Sequence, residues 1–146
     1  MDLLIRRSTL ILPVNIPRFV EKAYLRGADA IMLDLEAAVP PAEKAAARGR
    51  VRDSLALVGR GGAELFVRVN NDPALLPADL EASVHPGLQG ICLPKTETAA
   101  QVAALDAGIA AVERSRGLPP GRVEICLLIE SPVGIVNLEA IAAARP

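Results

Sequence analysis

Short apolar runs alternate with helix-patterned stretches along the whole chain. The runs Thr9 to Val14, Ala30 to Leu35, Glu64 to Val69, Gly90 to Leu93 and Val123 to Ile129 predict five strands, with starts 21, 34, 26 and 33 residues apart. That spacing matches a strand, a helix and a return connection. Most runs are continuously apolar rather than alternating, as expected for a parallel sheet covered on both faces.

The intervening stretches carry helical periodicity. After Pro17 a short helix presents Phe19 and Ala23, or Val20 and Tyr24, on one side. Pro40 and Pro41 open a second helical segment in which Ala47, Val51, Leu55 and Val58 recur at three- and four-residue spacing, and Gly59, Gly61 and Gly62 end it. A short third helix is predicted from about Ala78 to Val84. The fourth is the clearest: Thr98 stands as its cap, and Val102, Leu105, Ile109 and Val112 draw one apolar stripe. A last helix starts near Asn137 and carries Leu138 and Ile141.

Five strand–helix units suit an open doubly wound sheet or the first five-eighths of a (β/α)8 barrel, and the barrel is the reading adopted. No Gly-x-Gly-x-x-Gly follows the first strand and no Walker-type lysine loop is present, which weakens a nucleotide-binding reading. A whole barrel takes about 250 residues, so residues 1–146 are expected to form one incomplete TIM-barrel domain of about five βα units. The first and fifth strands then become unpaired edges that favour association.

Composition refines this picture. Apolar residues make up 51% of the chain, yet only Phe19, Phe66 and Tyr24 are aromatic, so the core is expected to be aliphatic. A net charge of -1 without a long basic run gives no footprint for nucleic acid, and stacking platforms for single strands are missing. Cys92 and Cys126 each sit inside an apolar run without metal-ligand spacing, and read as buried free thiols. The apolar stretch from Thr9 to Val14 is too short to span a membrane and has no cleavage site after it. A cytoplasmic or organelle-matrix enzyme without membrane or nucleic-acid partners fits these features.

Candidate chemistry collects where strands end, as it does in parallel βα folds. Strand two ends in Leu33-Asp34-Leu35-Glu36, and a period of two puts both acids on one face. Strand three ends in Arg68-Val69-Asn70, where the same rule pairs Arg68 with Asn70. Strand one ends in Pro13-Val14-Asn15, strand four in Pro94-Lys95, and strand five in Ile129-Glu130-Ser131-Pro132. An unpaired guanidinium within an apolar strand is costly. Arg68 therefore needs either a salt bridge to Asp34 or Glu36, or a substrate carboxylate or carbonyl to clamp. Glu36 and Glu130 at one mouth suit a hard divalent cation such as Mg2+, which keeps several waters and needs few carboxylates. Metal and arginine together would polarise a carbonyl or stabilise an enolate. The single histidine, His85, precedes Pro86 in a predicted loop and reads as an ordinary surface or structural residue.

A set of stretches in order along the chain resembles one family. They are Arg7-Ser8-x-Leu10, Pro17-Arg18-Phe19-x-Glu21-Lys22-Ala23, Gly27-Ala28-Asp29-Ala30, Leu33-Asp34-Leu35-Glu36-x-Ala38-Val39 and Pro41-x-Glu43-Lys44-x-x-Ala47-Arg48, then Arg68-Val69-Asn70, Leu93-Pro94-Lys95 and Ile129-Glu130-Ser131-Pro132-x-Gly134. This set is similar to the citrate lyase beta subunit-like family, within the wider HpcH/HpaI aldolase group. The resemblance implies a (β/α)8 barrel that uses magnesium to cleave or form carbon–carbon bonds in acyl thioesters such as malyl-, citramalyl- and citryl-CoA. It further implies that Arg68 contacts the substrate's carboxylate or carbonyl oxygens, that Glu130 ligates magnesium, and that Glu36 organises metal-bound water. Pro13 and Asn15, and likewise Lys95, match the family's loops after strands one and four. A homo-oligomer or lyase complex is expected, with the acyl group on CoA or on an acyl carrier.

The chain departs from the family pattern in places. Ala37 stands where an Asp is usual, and Ser131 where a Thr is common. Val14 replaces a glycine of the loop after strand one, which predicts a reshaped loop because β-branched residues tolerate positive φ poorly. The family's second metal-ligating aspartate falls beyond Pro146, and the general base comes from a later segment or a neighbouring subunit. Two functional readings follow from the sequence: a magnesium-dependent carbon–carbon lyase, or an inactive shortened homologue acting as an accessory subunit.

Overall fold

A computed structural model describes residues 5–144. Five strands, β1 (Thr9–Pro13), β2 (Ala30–Asp34), β3 (Glu64–Arg68), β4 (Gly90–Leu93) and β5 (Glu124–Leu127), form one sheet. All pairs are parallel and the spatial order follows the chain order, β1-β2-β3-β4-β5. Helices fill every return: α1 (Pro17–Val20), α2 (Lys44–Arg48), α3 (Val51–Val58), α4 (Leu76–Ser83), α5 (Ala99–Ser115), α6 (Pro132–Val136) and α7 (Leu138–Ala143). The chain is α/β, built of the consecutive βα units of a (β/α)8 barrel.

The two faces of the sheet bury different sets of residues. On the helix side Ile31, Leu33, Leu35, Val67, Val69, Ile91 and Leu93 pack with helix residues Ala47, Val51, Leu55, Val58, Leu80, Leu105 and Ile109 in one aliphatic core. On the opposite face Ala30, Met32, Phe66 and Cys92 form a second, smaller cluster joined by Cys126 and Leu128. Covering both faces explains why the strands read as unbroken apolar runs.

The stripe of α5 is buried as its spacing predicts, and Thr98 makes a capping box with Gln101. Ala47, Val51, Leu55 and Val58 are all buried, but they belong to two helices separated at Gly49 and Arg50. Around α1 the inward face combines Val20 with Ala23, and Phe19 is 45% exposed. In the last helix Ile141 is buried while Leu138 faces outward.

Below the amino ends of the strands, Arg6 crosses the sheet. Its guanidinium lies 4.6 Å from the Phe66 ring centroid, 2.5 Å from Glu64 Oε2 and 3.3 Å from Glu124 Oε2. No helix among the described residues is long and apolar enough to cross a membrane.

Candidate active site

At the carboxyl ends of β2 to β5, acids and bases alternate in one connected chain. Asp34, wholly buried, accepts from Arg68 Nε at 2.8 Å and Nη2 at 2.7 Å, a two-pronged ion pair. It also accepts from the backbone N–H groups of Glu36 at 2.8 Å and Ala38 at 2.9 Å. Burial is the largest influence on this carboxyl and acts to raise its pKa. Together, the Arg68 guanidinium and the two backbone donors outweigh burial and hold the group below the usual carboxylate range. The same hydrogen bonds raise the pKa of Arg68 further.

The ion pair leaves Arg68 Nη1 without a protein partner among the described residues, so one edge of the guanidinium is free for a ligand. Of the two ways the sequence offers to pair this arginine, the salt bridge to Asp34 is present. That pairing orients the guanidinium rather than exhausting it, since five N–H donors are available and Asp34 occupies two.

Glu36 continues the chain of charges. Its Oε2 lies 4.0 Å from Arg68 Nε and its Oε1 accepts from Lys95 Nζ at 2.7 Å. This hydrogen bond to Glu36 holds the Lys95 ammonium above its ordinary pKa. Lys95 in turn donates its backbone N–H to Glu130 Oε1 at 3.1 Å. It does so from a left-handed backbone, φ 51°, the one positive φ outside glycine among the described residues. For a residue with a Cβ that conformation costs about 1–2 kcal/mol. Here it lets one residue engage two carboxylates at once.

Neighbouring polar groups fix the loops that carry these side chains. Lys44 Nζ donates to the backbone carbonyls of Leu35 at 2.8 Å and Glu36 at 2.9 Å, which clamps the end of β2. Asn71 Nδ2 bridges the carbonyls of Pro94 and Lys95, both at 3.0 Å. Beyond β5, Ser131 Oγ donates to Glu97 Oε1 at 2.6 Å and accepts from the Gly134 N–H at 3.1 Å, so the cap of α6 is tied to the loop after β4. Asn71 and Glu97 were not singled out from sequence. For Asn71, the tandem Asn70-Asn71 after a strand is the local signal that could have found it.

The structure thus gathers Glu36, Arg68, Lys95 and Glu130, with Asp34 beneath them and Pro13 opposite Asp34 in register. Two other sequence readings turn out differently. Asn70 does not share a face with Arg68: it is buried, and its side-chain amide donates to Asp79 at 2.6 Å and to the Leu35 carbonyl at 3.0 Å. The strand ends at Arg68, so the period of two does not extend to Asn70. Val14 has no positive φ; it is 1% exposed, part of the core, and the turn after β1 closes through Ile16 N–H to the Pro13 carbonyl at 3.4 Å. Asn15 turns to the helix layer, where Nδ2 donates to Glu43 Oε2 at 2.6 Å and its buried Oδ1 has no partner among the described residues.

The donor chemistry suits a hard divalent ion. Glu36 and Glu130 offer carboxylate oxygens, and Glu130 Oε2 accepts from no protein group among the described residues. A group of three or more His, Cys, Asp or Glu side chains fit to hold a metal is not found among those residues. Two carboxylates are compatible with Mg2+, which commonly retains several waters.

Comparison with known proteins agrees with the fold. Citrate lyase subunit beta of Leuconostoc mesenteroides subsp. cremoris is 42% identical over 141 residues, 96% of this chain and 47% of that protein. The L-malyl-CoA/beta-methylmalyl-CoA lyase of Cereibacter sphaeroides is 36% identical over 145 residues, 96% of this chain and 45% of that protein. The chain thus spans about half the length of these relatives. Among solved structures, the citrate lyase beta subunit of M. tuberculosis complexed with oxaloacetate and magnesium superposes with a TM-score of 0.70 at 31% identity, covering 97% of this chain and 56% of that one. Malate synthase of Haloferax volcanii in a magnesium/glyoxylate complex gives a TM-score of 0.80 at 18% identity, over 93% of this chain and 46% of that one, a likeness of fold alone. Residues 7–146 match the family described as HpcH/HpaI aldolase/citrate lyase, and the chain belongs to that family.

Proposed function

We propose that this chain is part of a magnesium-dependent carbon–carbon lyase acting on a 3-hydroxyacyl thioester such as citryl-, malyl- or citramalyl-CoA. The observation that carries the reading is the linked set Asp34–Arg68–Glu36–Lys95–Glu130 at the carboxyl ends of four neighbouring strands. Relatives named as citrate lyase beta and malyl-CoA lyases support it.

In this reading Glu130 holds Mg2+, with Glu36 organising the water around it. The ion supplies charge stabilisation for oxygen atoms of the 2-oxo acid portion. Arg68, oriented by Asp34, offers its free Nη1 edge to the carboxylate or carbonyl oxygen of that portion. Lys95 bridges the two glutamates, its ammonium on Glu36 and its backbone N–H on Glu130. In the cleavage direction a base takes the hydroxyl proton and the carbon–carbon bond breaks. The hydroxyl carbon becomes the 2-oxo carbonyl of the released acid. The bonding electrons move into the thioester carbonyl, and the resulting enolate is protonated to the shorter acyl thioester. Pro13, opposite Asp34 in register, lines the first loop on the substrate side, while Asn15 braces that loop from the helix layer through Glu43, and residues 1–146 form part of one barrel domain.

The test uses the full-length protein with malyl-, citramalyl- and citryl-CoA, following 2-oxo acid release. Expected are turnover that chelation abolishes and Mg2+ restores, and a loss of about 100-fold or more in Arg68→Ala, the scale seen for removing a transition-state donor. Glu130→Ala should raise the Mg2+ requirement. Undiminished turnover in Arg68→Ala removes the role given to this arginine, and no turnover with any of the three thioesters removes the proposal.

A further inference from the structure

The row of side chains that contains Asp34 and Arg68 does not stop at β3. Arg68 is the register partner of Cys92 on β4, and Cys92 of Cys126 on β5. Register partners on parallel strands point to the same face. The two thiols therefore extend the row of the Asp34–Arg68 pair across the floor of the site, among Phe66 and Leu128. Both are free, Cys92 buried and Cys126 half-buried.

Neighbouring strands lie about 4.8 Å apart, within the ~4.4–6.8 Å between Cα atoms that a disulfide spans. The two side chains also act on each other's ionisation: the neighbouring thiol, with help from the Arg6 guanidinium, lowers the pKa of Cys126 against the burial that raises it, while the Cys126 side chain and burial push Cys92 upward. Cys126 is thus the more acidic thiol and the attacking sulfur, with Cys92 beside it in register as the resolving one.

We propose that Cys92 and Cys126 are a redox-active dithiol, oxidised by a peroxide to a disulfide that joins β4 to β5 beneath the site. The Cys126 sulfur attacks one peroxide oxygen, the O–O bond breaks, and hydroxide leaves to be protonated to water. Cys126 is then a sulfenic acid. The Cys92 sulfur attacks it, and the Cys92 proton leaves with the sulfenic hydroxyl as a second water. Two electrons pass from the thiols to the peroxide, and the S–S bond forms. This proposal does not rest on the lyase reading.

The experiment treats reduced full-length protein with a small molar excess of hydrogen peroxide, then denatures, alkylates and digests it with trypsin. Lys95 and Arg122 lie between the cysteines, so they fall in separate peptides. The expected result is one cross-linked species lighter by two hydrogens than the two peptides together, reversed by dithiothreitol. In Cys92→Ser, Cys126 should stop at a sulfenic acid that dimedone captures. In Cys126→Ser, Cys92 should remain alkylatable. The proposal is overturned if peroxide-treated wild-type protein keeps both thiols alkylatable, or if each is oxidised singly without the cross-linked species.

Discussion

At the scale of single residues, Asp34 does most to order the site. It takes four hydrogen bonds in a fully buried position, two from Arg68 and two from the loop that carries Glu36. Asp34→Ala leaves Arg68 with Glu36 as its nearest acid and the two N–H groups without an acceptor. A loss of about 3–5 kcal/mol is expected, measured as a lower urea midpoint. His85 gives a pH test. Burial, then Arg116 and Arg52, lower its pKa, against smaller opposing effects of the Ala82 backbone and Glu81. Between that lowered value and the ordinary one of about 6.5, the unfolded chain binds more protons. Stability from this group is therefore complete above pH ~6.5 and declines as pH falls through the folded-state value. His85→Gln should flatten that part of a denaturation-midpoint-against-pH curve; an unchanged curve would remove His85 as the cause. The need of Arg68 for an acid was legible because a bare guanidinium in a strand is costly. Lys95 at φ 51° was not, because no local pattern assigns a left-handed backbone to lysine.

Among elements, helix α5 was readable from its stripe and its cap, both encoded within a few residues of each other. Thr98→Ala should cost about 1 kcal/mol, seen as a small fall in Tm without change in the site. Helix α6 was missed. Its signal is Ser131 at the cap followed by Pro132 at the first helical position, which sequence reading used only as the end of β5. The break between α2 and α3 was also hidden, because the buried positions keep one period across it. Gly134 shows how tightly these pieces meet: a Cβ there would lie 2.6 Å from the Thr96 carbonyl oxygen. Gly134→Ala should push the loop carrying Glu130 away from the loop after β4. The expected outcome is a raised Mg2+ requirement for turnover, with far-ultraviolet circular dichroism unchanged; unaltered Mg2+ titration would show that the two loops move independently.

For the whole molecule, chain order equals strand order, so the barrel type was legible from the succession of runs. The edges of the described sheet are β1 and β5. Within β1, Ile11 is 48% exposed, and in α6, which follows β5 in the chain, Val136 is 83% exposed. Residues 1–146 expressed alone should therefore associate with rising concentration, as followed by light scattering, and Ile11→Lys with Val136→Lys should reduce this. Arg6 adds a consequence in time. It is joined to Glu124, 118 residues later, as well as to Glu64. On a ribosome adding roughly 5–20 residues per second, Arg6 waits about 6–24 s after its own synthesis before Glu124 is made. Until then Arg6 holds only its earlier partner Glu64, and the underside of the growing sheet stays open to chaperones.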